Sequence, residues 1–157
     1  MSLSEDLKQD LIQNLREHIN GSVVITDFAP LSGGSINDAY EVKTSAGSFF
    51  LKTNAADRHP SMFAAEADGL ERLNATKSVR TPMVFGHGET DDTTWLLLEF
   101  IGDGERTPSF WHHFGKGLAQ LHSNSHAQFG LERNNYIGSL EQINTQEKEW
   151  STFFNQQ

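Results

Sequence analysis

The stretch Leu31–Lys52, L-S-G-G-S-I-N-D-A-Y-E-V-K-T-S-A-G-S-F-F-L-K, constrains this chain more than any other. Val23–Phe28 before it is rich in β-branched residues and reads as a strand. Gly33-Gly34 breaks that strand, Asp38–Thr44 resumes as a second, Ser45-Ala46-Gly47 turns the chain, and Ser48–Thr53 forms a third. Three strands joined by short turns make an antiparallel meander. Alternation in the third strand sets Phe49 and Leu51 on one face and Phe50 and Lys52 on the other. A lysine on a sheet face either snorkels to water or meets an anion. Taken singly, a strand lysine snorkels.

The flanking segments complete an α+β pattern. Ser2-Leu3-Ser4-Glu5 has capping-box spacing, and Leu7, Leu11, Ile12, Leu15 and Ile19 follow on one helical face up to the Asn20-Gly21 stop. Ser61 after Pro60 predicts a cap for a helix running to about Lys77, with Phe63, Ala67, Leu70 and Leu73 as its apolar stripe. Glu66 borders that stripe, which lets its carboxylate point toward the sheet. A lone glutamate there is a solvated rim residue, but a lysine and a glutamate facing one cleft relieve each other's desolvation. Pro82–Gly86 and Thr94–Phe100 read as two further strands, the second, T-W-L-L-L-E-F, being the most apolar run. The expected organisation is a kinase-like lobe over residues 1–101 with a five-stranded antiparallel sheet and a helix beside it. A Gly- and charge-rich hinge follows over 102–108, and 109–157 begin a helical lobe that stays incomplete. In that lobe Ser109 is the expected cap of a helix carrying Phe110, Trp111, Phe114, Leu118 and Leu121. An ordered loop with aromatic anchors comes next, and a last helical piece spans about Thr145–Phe154.

Composition excludes several classes of function. The 157 residues carry a formal net charge of −9, which argues against a broad basic face for nucleic acid. A nucleotide is not excluded, since it needs only one or two cations and some backbone N–H groups. Without cysteine there are no disulfides, thiolate zinc sites or cysteine nucleophiles. No apolar run approaches the roughly 18 residues of a membrane span, and the N-terminus lacks the apolar core of a signal peptide, so a cytoplasmic protein without membrane partners is expected. His113, His122 and His126 lack the H-E-x-x-H pattern and read as solvated or hydrogen-bonded histidines. There is no G-x-S-x-G elbow for a serine hydrolase.

The remaining chemistry is phosphate chemistry. Glycines let a backbone approach phosphate oxygens and present N–H groups to them. Gly33 and Gly34 supply this, with Ser35 and Asn37 as side-chain donors. The turn is neither G-x-G-x-x-G nor G-x-x-x-x-G-K-[ST], and alone it is an ordinary hairpin. Its weight comes from order: a glycine turn, the strand lysine Lys52, the helix glutamate Glu66 and an apolar strand ending in Glu99-Phe100-Ile101 follow at kinase-like intervals. In such a scheme Lys52 holds the α- and β-phosphates, Glu66 orients Lys52, and backbone groups of Glu99, Phe100 and Ile101 hydrogen-bond the adenine.

The chain resembles the fructosamine (ketosamine) kinases, relatives of the aminoglycoside and choline phosphotransferases. The resemblance rests on L-S-G-G-S-I-N-D-A-Y (31–40), F-L-K (50–52), F-A-A-E-A-D-G-L (63–70), L-L-L-E-F-I (96–101) and L-A-Q-L-H (118–122). It rests above all on F-G-L-E-R-N-N-Y-I-G-S-L-E-Q-I-N (129–144) with Trp150, Phe153 and Phe154. It implies ATP-dependent phosphorylation of the 3-hydroxyl of ketosamines on glycated amines or proteins, which reverses glycation. By the family pattern Lys52 and Glu66 are the ion pair and Gly33–Asn37 the phosphate flap. The family's later His-Gly-Asp-Leu-Trp-x-x-Asn loop and Asp-Pro-Ala segment, which supply the base and the Mg²⁺ ligands, are not in this sequence. The expectation is a polypeptide with no catalytic or metal-binding residues of its own and negligible kinase activity: a truncated product, an expressed piece or a proteolytic remainder. Its C-terminal aromatics are expected to be exposed and to promote association as a homodimer. The rival readings are another aminoglycoside- or choline-type small-molecule kinase and a non-catalytic nucleotide-binding or interaction module. A plainer one holds that Lys52 and Glu66 never meet.

Overall fold

The computed structural model describes residues 3–32, 36–90 and 92–156. These fall into two compact units, Met1–Ala67 with Pro82–Gly102 and Asp68–Thr81 with Asp103–Gln157.

The first unit is a five-stranded antiparallel sheet with helices. Strands β1 (Ile25–Leu31), β2 (Asp38–Thr44) and β3 (Gly47–Ala55) form the meander, and β4 (Val84–Glu89) and β5 (Thr93–Glu99) form a hairpin. The sheet order is β1-β2-β3-β5-β4, so β5 lies beside β3. The strong apolar run thus becomes an inner strand. Trp95, Leu96, Leu97 and Leu98 are all buried, which requires cover on both faces. On the face of Leu51 and Leu97, helix α1 (Glu5–His18) buries Leu7, Leu11 and Leu15 against Val42, Phe49 and Trp95. The start of helix α2 (Met62–Ala75) lies on the opposite face and buries Met62, Phe63, Ala65 and Ala67.

Helix starts differ from expectation in their chemistry. The α1 cap is Ser4, whose hydroxyl accepts from the Leu7 amide at 3.3 Å; Ser2 lies outside the described residues. Ser61 gives its carbonyl to the Ala65 amide, but its backbone is left-handed (φ +61°) rather than extended, as a side-chain cap requires. Ser109 stands at the start of α3 (Phe110–His122) without a side-chain capping bond.

The second unit holds the later part of α2, α3, a small hairpin of β6 (Asn135–Ile137) and β7 (Leu140–Gln142), and α4 (Trp150–Phe154). Sequence reading expects a loop where this hairpin forms. Its two-residue Gly138-Ser139 connection, with Gly138 at φ +65°, is ordinary hairpin chemistry between very short strands. Buried Asn144 ties the hairpin base: its amide nitrogen donates to the Arg133 carbonyl (3.2 Å) and Asn135 Oδ1 (2.8 Å), while its backbone N–H donates to Asn134 Oδ1 (3.0 Å). Trp111, Phe114, Trp150 and Phe154 are exposed. Arg72 bridges Asp68 (2.9 Å) and Glu132, fastening the start of this segment to α2.

Gly88 pairs with Trp95 across β4 and β5, and a Cβ there would sit 2.7 Å from the indole. The indole is buried, so it can yield only by disturbing the core around it. Gly88→Ala is therefore expected to destabilise the first unit by about 1–3 kcal/mol in urea unfolding, whereas Gly69→Ala, which meets open space, leaves it within about 1 kcal/mol. The Glu132 carboxyl is held below its ordinary range by its own backbone N–H and by the Arg72 guanidinium. A depressed acid contributes stability above its unfolded value, about 4.3, and loses it as pH falls through the folded value. The melting difference between wild type and Arg72→Ala should be present at neutral pH and shrink toward zero as the solution is acidified below about pH 4.

Candidate nucleotide site

Lys52 lies on the sheet face opposite to Leu51, as its strand parity dictates, with Ala39 and Leu96 as its cross-strand neighbours. Helix α2 brings Glu66 over it. Lys52 Nζ donates to both carboxylate oxygens, at 2.8 Å to Oε1 and 2.6 Å to Oε2. The Phe63 ring, one turn earlier, lies 5.8 Å from the same ammonium. The two residues therefore meet, and the reading in which they never do is excluded.

The geometry leaves chemical capacity unused. An ammonium has three N–H donors, and Glu66 takes two. The Lys52 side chain keeps 22% of its surface and that of Glu66 33%. A fixed point charge with a spare donor and an open approach suits an anionic ligand such as a phosphate.

The other candidate residues divide. Gly33, Gly34 and Ser35 lie outside the described residues. Asn37 is half-buried, with its Oδ1 accepting from Asn54 Nδ2 at 2.7 Å and its Nδ2 directed at Met62 Sδ at 3.8 Å. At the far end of the site, Glu99 donates its backbone N–H to the Met83 carbonyl (2.8 Å) and accepts the Met83 amide on its carboxylate (3.3 Å). Among the described residues, Phe100 and Ile101 have no backbone hydrogen-bond partner, and Ile101 is exposed. The backbone donors and acceptors open to a planar heterocycle are thus those of Phe100 and Ile101. No motif singles out Asn54. Its signal was a polar residue two places after Lys52, on the same strand face.

The sequence profile described as fructosamine kinase matches residues 7–157. The chain belongs to the fructosamine kinase family. Among its relatives is a probable ketoamine kinase of Enterococcus faecium, 36% identical over 150 residues, which cover 93% of this chain and 48% of that protein. A chloroplastic protein-ribulosamine 3-kinase of Arabidopsis thaliana is 38% identical over 133 residues, covering 83% of this chain and 40% of that one. A crystal structure of a Haemophilus somnus 129PT protein assigned to fructosamine-3-kinase superposes with a TM-score of 0.83 at 30% identity, covering 92% of this chain and 49% of that chain. The fold of this chain is thus that of the fructosamine kinase family, α+β with a five-stranded antiparallel sheet. The chain spans about half the length of the curated relatives it matches. Among the described residues no helix is long and apolar enough to cross a membrane.

A pair this open to water adds little to stability. Lys52→Met and Glu66→Gln are each expected to change the unfolding free energy by about 1 kcal/mol or less, measured by chemical denaturation, since each keeps most of the side chain's volume.

Proposed function

We propose that this chain carries the nucleotide-binding part of an ATP-dependent ketosamine kinase, which transfers phosphate to the 3-hydroxyl of ketosamines on glycated amines or proteins. The observation that carries the reading is the two-pronged Lys52–Glu66 pair, on the same sheet that runs out into the unpaired backbone of Phe100 and Ile101. Family membership supplies the reaction class.

In this reading Lys52 directs its third N–H at the α- and β-phosphates, and Glu66 keeps the ammonium from swinging to water. Phosphates carry the charge that a pre-oriented cation stabilises, without reorganisation during transfer. Adenine lies against the Phe100–Ile101 backbone, which recognises its edge irrespective of side chains. The Gly33–Asn37 stretch, of which Gly33, Gly34 and Ser35 lie outside the described residues, is the segment this reading assigns to the phosphates. The Lys52–Glu66 pair and the unpaired backbone of Phe100 and Ile101 support this fit to ATP. Mg²⁺ would neutralise phosphate charge in the complete reaction, but among the described residues no three His, Asp or Glu side chains group to hold it. Nor does this reading find a base for the sugar hydroxyl in these 157 residues. The polypeptide by itself then binds nucleotide and does not turn over.

Calorimetric titration of the 157-residue chain with MgATP, alongside an ADP-release assay with a fructosamine, tests both parts. Binding by the wild type that weakens about tenfold or more in Lys52→Met is expected, with no fructosamine-dependent ADP release. Absence of ATP binding would favour an interaction module, and substrate-dependent ADP release would refute the statement on turnover.

A further inference from the structure

The sheet face that carries Lys52 holds a second ionised group. On β2, Tyr40 and Val42 point into the α1 core, so Ala39, Glu41 and Lys43 share the opposite face. The register sets Ala39 against Lys52 and Glu41 against Phe50. At about 3.4 Å per residue, Glu41 stands about 7 Å along the sheet from Lys52. That step leads toward Phe100, because Phe50 pairs with Leu98 and Phe100 follows Leu98 by two residues. Glu41 is therefore at mid-height between the lysine and the unpaired backbone of Phe100 and Ile101. The row across the sheet at this height is Ala29, Glu41, Phe50, Leu98 and Val84. Of these five side chains only the carboxylate is polar. It is half-buried and half-used: Ser48 Oγ donates to Oε1 at 2.6 Å, and among the described residues no other hydrogen bond or ion pair reaches Glu41. Lys43, the cation two residues on, is bound to Asp27 at 3.0 Å instead.

We infer that Glu41 binds the ribose of the nucleotide, its carboxylate accepting from the 2′- and 3′-hydroxyls. The inference rests on the nucleotide-binding reading above and adds to it a means of telling a ribonucleotide from a deoxyribonucleotide. A carboxylate only accepts hydrogen bonds, and its charge repels phosphate oxygens. Its partner in a nucleotide must therefore be a donor away from the phosphates. Adenine carries one in its exocyclic amine, but that edge faces the Phe100–Ile101 backbone, which has carbonyls to offer. The sugar hydroxyls remain. The sugar also joins base to phosphates, and Glu41 stands at the height between the positions assigned to the two. A vicinal diol presents two O–H donors side by side, which a carboxylate can accept with one on each oxygen; acidic residues read the ribose of dinucleotides in a similar way. One hydroxyl of Ser48 supplies one proton, so both oxygens keep capacity for the diol. Ser48 lies two residues beyond Phe50, so its bond draws the carboxylate toward the base and away from Lys52. Covering the free oxygen with a ligand is costly unless the ligand brings a donor, and this cost is what discriminates against a missing hydroxyl.

The test measures affinity for MgATP and for its 2′-deoxy and 3′-deoxy forms by calorimetry, in wild type, Glu41→Ala and Glu41→Gln. The glutamine keeps the volume and one acceptor oxygen, so it serves should the alanine variant fold poorly. Wild type is expected to bind MgATP about tenfold more tightly than either deoxy form. In Glu41→Ala the affinity for MgATP falls about tenfold while that for the deoxy forms stays within about twofold, so the three nucleotides bind alike; Glu41→Gln shifts the same way by a smaller factor. A wild type that binds MgATP but does not prefer it to the deoxy forms overturns the inference alone. An equal loss for all three nucleotides in the variants overturns it too, because Glu41 then acts on the sheet and not on the sugar. A wild-type chain that binds no MgATP sinks the nucleotide reading and the inference together, and that result is visible before any variant is made.

Discussion

Burial of β5 on both of its faces is the constraint on which the first unit depends. Trp95 and Leu97 cannot be covered by the elements that cover Leu96 and Leu98, because neighbouring strand residues point in opposite directions. Each face must therefore have apolar cover of its own. Helix α1 answers on one side with Leu7, Leu11 and Leu15. On the other side the start of α2 brings Met62, Phe63, Ala65 and Ala67. Glu66 arrives over the sheet as a consequence of that apolar demand. The order of causes is thus hydrophobic first and ionic second: the core places the helix, and the helix presents the carboxylate.

Register carries the same logic to the site. A slip of one residue between β3 and β5 would exchange Leu51 for Lys52 in the α1 core. With Leu51 opposite Leu97 and Lys52 opposite Leu96, the lysine is held at a fixed height along the sheet. Gly88 supports that register from the neighbouring strand by leaving room for the Trp95 indole. A partly exposed pair of ions would not hold two elements together by itself. Its precision is inherited from the apolar packing around it, which frees the charge to interact with a ligand.

Much of this was legible from local pattern. The meander, the face of Lys52 and the α1 stripe follow from periods of two and 3.6 residues. Ser61 and Ser109 do stand at helix starts but make no side-chain capping bond, because Ser61 is left-handed (φ +61°) and Ser109 lies in the right-handed helical region, whereas a side-chain cap needs extended backbone. The hairpin of β6 and β7 escapes local pattern for a different reason. Strands of three residues carry no alternation to detect, and the base is held by Asn144, whose partners lie nine to eleven positions earlier.

The sequence by itself determined that a lysine stands on one face of the third strand, and that a glutamate borders the apolar stripe of the following helix. Both are statements about a single element, and a single element's periodicity suffices for them. Only the tertiary structure decided that the two meet, that Asn54 closes the hairpin onto Asn37, and that Arg72 reaches Glu132 sixty residues away. Side-chain bonds between elements depend on how far and at what angle those elements pack. That is fixed by the volumes of the core residues between them, a quantity that no local spacing contains.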